Sequence, residues 1–464
     1  MESPDRPLRF PERQRLELHH ELHARPTLPA RTPCVVSYWV QWGMDGAQAE
    51  ALLAQLCLSA DAPAPPAGVR HHVLQAPGYA LKYERHGEFV SWQVNRPLPA
   101  WASAPSDADL RAALTSSSAL TELPDAFIAR LTGPGAGEML AATHVAMLRA
   151  ERGFGGAARD GDWLRRCQAL LAEGAGPGGV DDAASLMGAY IADAQRGAVL
   201  THLRLGVDGF TRFVLLDFDL SPEQAAREAQ RLCEIEAYRM LAMLGFPVAQ
   251  AESAQLAELE RTLQGTVDAM ANDDNLDDAQ AFETLSRMAA EVEHGTARTR
   301  FRFSATRAYS RIVQARLADL REQRIDGVRT LSGFLSRRFL PAIALCESTD
   351  ARLTDMAERI NRAVSLARVR VEQRREQGNQ ELLRALAHRQ HLQLRLQQTV
   401  EGLSVVAISY YTLGLVGYVA KGAKTLPGLE PLHIQPDLVV GLAVVPVAFG
   451  VAWFVRRLRA HLDP

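Results

Sequence analysis

Two stretches near the end of the chain, 403–420 (LSVVAISYYTLGLVGYVA) and 438–455 (LVVGLAVVPVAFGVAWFV), contain no charged residue. Their edges are abruptly ionic. Glu401 and Lys421 bracket the first, and Asp437 and Arg456 bracket the second, with Arg457 and Arg459 just beyond. Each run is 18 residues long. At ~1.5 Å per residue, such a helix approaches the ~30 Å hydrocarbon layer of a bilayer. Neither run has a polar stripe at helical period, which a helix on the surface of a soluble core would show. The pattern predicts a C-terminal two-helix transmembrane hairpin.

Upstream the patterning changes twice. Alternating or continuous apolar segments predict strands at 34–41, 69–75, 79–85 and 88–94, then at 184–190, 198–206 and 210–218. Eighteen of the 24 prolines precede residue 248, whereas 248–426 holds only Pro341. A turn-rich α/β half followed by a helical half is therefore expected. Loops are expected at 61–68, 95–105 and 171–179. Ser221, Pro222 and Gln224 form a capping-box signature that starts a helix, and Gly245 and Pro247 are expected to end it, giving 222–244.

Within the helical half, residues 251–293 hold eleven acidic side chains against two arginines, and 298–338 hold eleven arginines against three acids. Segments of opposite sign are expected to pack as a hairpin with complementary faces. Binding of nucleic acid or anionic lipid by 298–338 is the competing reading. Leu353, Met356, Ile360, Ala363 and Ala367 make an apolar stripe, and 372–380 (EQRREQGNQ) is polar all round. The stripe resumes at Leu382, Leu383, Leu386, Leu392, Leu394 and Leu396. One long stalk helix over 342–426, running into the first apolar span, is expected. Such a stalk is a candidate surface for homo-oligomerisation.

The expected fold class is α+β. The expected divisions are a cytoplasmic mixed α/β domain (1–220), a coiled-coil-like helical region and stalk (221–400), the two spans, and a basic tail (456–464). Arginines cluster before the first span and after the second, while the connecting loop offsets Lys421 and Lys424 with Glu430 and Asp437. The positive-inside rule then puts both termini in the cytoplasm of a multi-pass protein. No charged segment leading into an apolar run occurs near Met1, so the long first part is expected to stay cytoplasmic. The lipid bilayer is thus the first expected partner.

Charge and cysteine usage add little. A net charge of −3 makes no whole-chain case for a nucleic-acid partner. The five cysteines are scattered without a CxxC pair, as in a reducing compartment. Phosphate-loop, dinucleotide-binding, GxSxG and CxxC motifs are missing, and no cofactor is evident.

Three polar groupings are candidates for chemistry. His19 and His23 are four apart on a helix expected from Pro11 to before Pro26, which would put two imidazoles on one face. The order is His-Glu-Leu-His and not His-Glu-x-x-His, so a metal site competes with plain structural hydrogen bonding. Arg25 follows them. Lys82, Glu84 and His86 alternate onto one strand face, as an acid–base site or as an ion-pair ladder. Glu234, Glu236 and Arg239 interrupt an apolar helix, and Glu236 and Arg239 are spaced to pair. In the first span Ser404, Ser409, Tyr410 and Thr412 are candidate pore-lining groups.

Five runs share a further character: HHELHARP (19–26), LKYERHGEF (81–89), EIEAYRMLAMLGFP (234–247), RFSATRAYSRIV (302–313) and QLRLQQTVEGLSVVAISYY (393–411). Together they resemble the uncharacterised bacterial membrane-anchored proteins of a domain-of-unknown-function family. The resemblance implies an integral inner-membrane protein with a large cytoplasmic part and no assigned activity. An anchored, non-enzymatic sensor or scaffold is the leading expectation. The layout also resembles CorA-type magnesium channels, which makes an oligomeric cation channel the alternative. The Gly-Met-Asn of those channels is missing, with Val416, Gly417, Tyr418 and Val419 in its place. A metal-dependent hydrolase using His19 and His23 is the second alternative.

Overall fold

A computed structural model describes residues 27–99, 106–112, 118–150, 165–167, 169–170, 186–273, 275–423 and 435–460. His19, His23, Arg25 and the expected helix around them lie outside the described residues, as do 174–179. The chain divides into two compact units, one of Met1–Asp273 with Thr284–Ala363 and one of Asp274–Glu283 with Val364–Pro464.

The first unit is built on one sheet. Its strands are β1 (Cys34–Trp42), β2 (His71–Ala76), β3 (Tyr79–Arg85), β4 (Phe89–Pro97), β5 (Glu138–Arg149), β6 (Met187–Ile191), β7 (Gly197–Leu205), β8 (Thr211–Asp217) and β9 (Gln323–Arg324). They lie in the order β2-β3-β4-β1-β5-β8-β7-β6-β9. Neighbours run antiparallel except β5 and β8, which are parallel and join the two halves of the sheet. The expected α+β class holds, and each expected strand is present with small shifts at its ends.

Strand β5 was not expected. Its sequence, EMLAATHVAMLR, is rich in Ala, Met and Leu, which favour helix, and it does not alternate cleanly. It becomes a central strand because both of its faces are covered, and packing there outweighs intrinsic preference. The same double burial explains β1, whose nine residues are buried through Gln41.

The chain's helices are α1 (Gly46–Ser59), α2 (Asp107–Arg111), α3 (Asp125–Leu131), α4 (Pro222–Met243), α5 (Gly245–Asn272), α6 (Asp278–Asp319), α7 (Leu331–Ala423) and α8 (Pro436–Ala460). Two apolar layers sandwich the sheet. Val35, Trp39, Leu81, Tyr83, Trp92 and Val94 pack with α1 and α3 on one face. Val36, Val40, Val145, Phe213 and Leu215 pack on the other with α4, with Val313 and Leu320 at the end of α6, and with Leu335 and Phe339 of α7. Cross-strand alignment sets Tyr83 edge-on to Trp92 (4.9 Å) and stacks Trp92 on Trp39 (6.2 Å).

Helix α4 starts as expected: the Ser221 hydroxyl accepts from Gln224 N–H at 3.2 Å, and Gln224 Oε1 accepts from Ser221 N–H at 3.1 Å. It ends at Met243, one residue short of the expected 244, and after Leu244 a separate helix, α5, starts at Gly245. Pro247 falls in the first turn of α5, where a missing N–H costs nothing. Gly245 serves a close approach instead, because a Cβ there would collide with the Thr306 hydroxyl. That hydroxyl donates to Ala242 O at 3.0 Å.

The charge hairpin is also revised. The border between acidic and basic segments falls inside α6, so the two signs share one helix. Arg298 reaches back to Glu252 of α5, but Arg302, Arg307, Arg316 and Arg321 pair with Glu88, Asp350, Glu234 and Asp193. The long helix begins earlier than expected and carries Pro341 inside it.

In the second unit, Asp278 at the start of α6 is 4% exposed and takes Arg370 Nε at 2.9 Å and Arg374 Nε at 2.7 Å. Arg374 also donates to Leu276 O at 2.8 Å, clamping the turn before α6 to α7. The C-terminal part of α7 meets α8 at Gly417, where a Cβ would lie 3.2 Å from Val440. Two helices are long and apolar enough to cross a membrane: Leu331–Gly422 and Asp437–Arg457, with window hydropathies of 1.6 and 2.5. Only 11% and 0% of those windows is buried, unlike the core helix of a soluble protein.

Candidate functional site

Of the polar residues singled out from the sequence, Lys82 and Glu84 lie on β3, on the face opposite Leu81 and Tyr83, and Glu234, Glu236 and Arg239 lie on α4. Strand pairing sets His71 opposite Glu84 and Glu84 opposite Ser91. The result is a row in which Glu84 lies 3.2 Å from Lys82 Nζ and 3.6 Å from His71 Nδ1. Lys82 is 3% exposed, with the Glu84 carboxylate beside its Nζ. His86 sits in the turn beyond β3, stacks on Phe89 at 4.1 Å and contacts the Ser91 hydroxyl at 3.4 Å. Arg85 points to the opposite face and pairs with Glu50 of α1.

Next to this row is Glu88, which belongs to the same polar run of the sequence. Its carboxylate accepts from Arg302 at 2.6 Å, from the Tyr309 hydroxyl at 2.7 Å and from Trp42 Nε1 at 3.3 Å. Burial works against its charge, yet the bonds from Arg302 and Tyr309 hold it below the usual carboxylate range. Burial, then Glu88, pushes the Tyr309 hydroxyl upward in turn. One side chain thus ties the β3–β4 turn to the middle of α6. The link to α6 had no local sequence signal, because Arg302 and Tyr309 lie more than two hundred residues away.

On α4 the anticipated Glu236–Arg239 pair is present and bidentate, at 2.8 and 2.7 Å. Glu236 is 1% exposed and also accepts from the Thr211 hydroxyl of β8 at 2.9 Å. Glu234 faces the other way, accepting from Gln230 at 2.7 Å and pairing with Arg316 of α6. These carboxylates bind helix to sheet and helix to helix. A buried carboxylate needs such partners to stay charged.

The opposite face holds a second group that the sequence did not reveal. Ser37 Oγ is 2.9 Å from His144 Nδ1, and His144 Nε2 is 3.6 Å from Asp208, which pairs with Arg212 at 2.6 Å. The residue types match a nucleophile relay, but the roles do not. Ser37 is 0% exposed and its oxygen accepts the Ala119 N–H at 2.9 Å. A neutral imidazole protonated on Nε2 accepts from Ser37 and faces Asp208. Burial lowers the pKa of His144, which keeps the ring neutral. The chain Ala119–Ser37–His144–Asp208 fastens the segment before α3 to the sheet.

Among the described residues no three His, Cys, Asp or Glu side chains gather as metal ligands. A groove of about 590 Å³ runs between α5 and α6, lined by Glu252, Glu258, Arg287, Glu291, His294 and Arg298. In the first apolar span, the Ser404 and Thr412 hydroxyls donate to carbonyls of their own helix, at 2.8 Å (Val400) and 2.7 Å (Ile408). Ser409 is buried in the hairpin without a hydrogen bond, while Tyr410 is 74% exposed and packs edge-on to Tyr411.

A family model described as a protein of unknown function, DUF3422, matches residues 11–462. The chain belongs to that family. A search of curated proteins found no match. The match covers both the sheet unit and the apolar helices, so the DUF3422 architecture joins them in one chain.

Proposed function

We propose that this DUF3422 chain is an integral protein of the bacterial inner membrane, held by a two-helix hairpin with both termini cytoplasmic. Its sheet unit acts there as a non-enzymatic sensor or scaffold. The single observation behind this reading is the apolar surface of α8 and the end of α7. Leu403, Val406, Leu415, Leu442, Val445 and Phe449 are each at least 60% exposed. Each such side chain gains ~1.5–3 kcal/mol on leaving water, and among the described residues of the second unit none covers them. Arg457 lies over the Trp453 ring at 5.0 Å, an aromatic and basic pairing suited to a headgroup layer. Support for a scaffold over an enzyme comes from the sheet unit's carboxylates, which are committed to arginine, lysine and hydroxyl partners that fasten elements together.

Washing membranes with alkaline carbonate tests the anchor. The full chain is expected to stay in the pellet and to leave it only with detergent; release into the wash would end the proposal. Labelling Gly428→Cys with an impermeant maleimide tests orientation, with reaction expected from the periplasmic side alone.

A further inference from the structure

Helix α7 is exposed all round over 372–400, and one line of positions passes from there into its apolar stretch without changing face. In the polar stretch it consists of Leu382, Leu386, Leu396 and Val400, which are 61%, 49%, 69% and 56% exposed. Arg389 and Gln393 fill the intervening seam positions. In the apolar stretch it continues through Ser404, Ala407, Tyr411, Gly414 and Tyr418, all exposed, with Tyr411 at 72% and Tyr418 at 76%. Steps of three and four residues alternate along this line, with a single extra four-residue step at Val400–Ser404. At ~100° per residue the whole set stays within an arc of about 80°. It runs over about five heptads, while Leu383, Leu392 and Leu394, also exposed, lie outside it.

The hairpin does not use this face. Ser409 and Ala420, 8% and 7% exposed, mark the side of α7 that is covered, and Val405 and Val416 lie on it too. That side is about 150° around the helix from Tyr411. Gly414 likewise has open space where a Cβ would stand, whereas Gly417 is closed by Val440.

We propose that the seam is covered by a second copy of this chain, α7 against α7, parallel and in register. This rests on the membrane reading above for its apolar part. The occupant must present a helix whose aqueous stretch turns into a lipid stretch at the same level and in the same direction. The chain's own α7 meets that requirement residue for residue. In register, leucines meet leucines in water, where packing is driven by burial. In lipid, Gly414 lets the backbones approach, and Tyr411 packs against its counterpart. Tyr411 would otherwise present its ring and hydroxyl to hydrocarbon about 12 Å from the start of the span, away from the interface where tyrosine is favoured. Gln393 can donate to and accept from its symmetry mate, which fixes register at some cost in stability. Arg389, about 20° from the centre of the arc, reaches water along its own stem.

The test is disulfide formation in native membranes by the full chain. Its five natural cysteines are all buried in the sheet unit or the helices packed on it, and serve as the background. Leu386→Cys and Val400→Cys lie on the seam, while His391→Cys and Arg395→Cys lie on the far side of the same helix. Mild oxidation is expected to cross-link the seam pair about tenfold more than the far pair, since a disulfide needs Cβ atoms about 4 Å apart. The mass in mild detergent is expected to be that of two chains. Equal cross-linking on both faces, adducts to other proteins only, or a one-chain mass with no seam cross-link would each overturn it. Failure of the membrane reading would appear separately, in the carbonate wash.

Discussion

Strand β1 and helix α8 are both apolar runs, and they end in opposite surroundings. In β1, Val35, Val36, Trp39 and Val40 are at most 2% exposed, enclosed by helices on both sides of the sheet. In α8, Leu442, Val445 and Phe449 are 73–78% exposed. Hydrophobicity says that a segment must leave water and does not say where it goes. Length and backbone pairing decide that. A nine-residue strand has open hydrogen-bond edges and must find neighbouring strands. A 25-residue helix satisfies its own backbone and can enter lipid unaided.

The contrast is sharpest under truncation. Trp92→Ala should cost about 3–5 kcal/mol of unfolding free energy, because it opens a cavity among Trp39, Tyr83 and Phe127. Phe449→Ala should change it by less than about 0.5 kcal/mol in detergent, which replaces the lost contact. Denaturant unfolding of the full chain measures both. Equal losses would mean that α8 packs inside the protein.

Polar groups extend the same comparison. Removing the Glu236 carboxylate as Glu236→Ala should cost about 2–3 kcal/mol, since Arg239 and Thr211 lose their partner in a buried setting. Glu88→Gln should cost about 1–2 kcal/mol by weakening the bonds from Arg302 and Tyr309. Glu258→Gln, in the exposed pair with Arg261, should fall within about 0.5 kcal/mol of the parent. A shift as large as that of Glu236→Ala would show that this surface is covered in the native protein.

The smallest expected effect is a pH slope. His144 has its pKa lowered from an ordinary 6.5 by burial, so the unfolded chain takes up a proton before the folded one does. Its contribution is complete above about pH 6.5 and shrinks as pH falls toward the lower folded value. His144→Gln should flatten the loss of unfolding midpoint between about pH 7.5 and about pH 5.5. An unchanged slope would place the titrating group elsewhere.

The helix start at Ser221, the Glu236–Arg239 pair and most of the strands were legible because each depends on residues close in sequence. Strand β5, the Glu88 cluster and the Ser37–His144–Asp208 line were not. Their partners are drawn from distant segments, and the residues themselves look ordinary in place. Gly245 shows the same limit, since its terminator signature was real but Thr306 and the start of α5 gave it another use.

Residue order alone settled the two apolar runs, their charged borders and most of the long helix that enters the first run, because length, hydropathy and helical period are local properties of a chain. The fold alone decided which carboxylate meets which arginine and that an Ala- and Met-rich segment becomes a central strand. It also decided which face of α7 the hairpin covers and which it leaves open. Those outcomes depend on burial by remote segments, and burial sets both the cost of a charge and the value of an apolar contact.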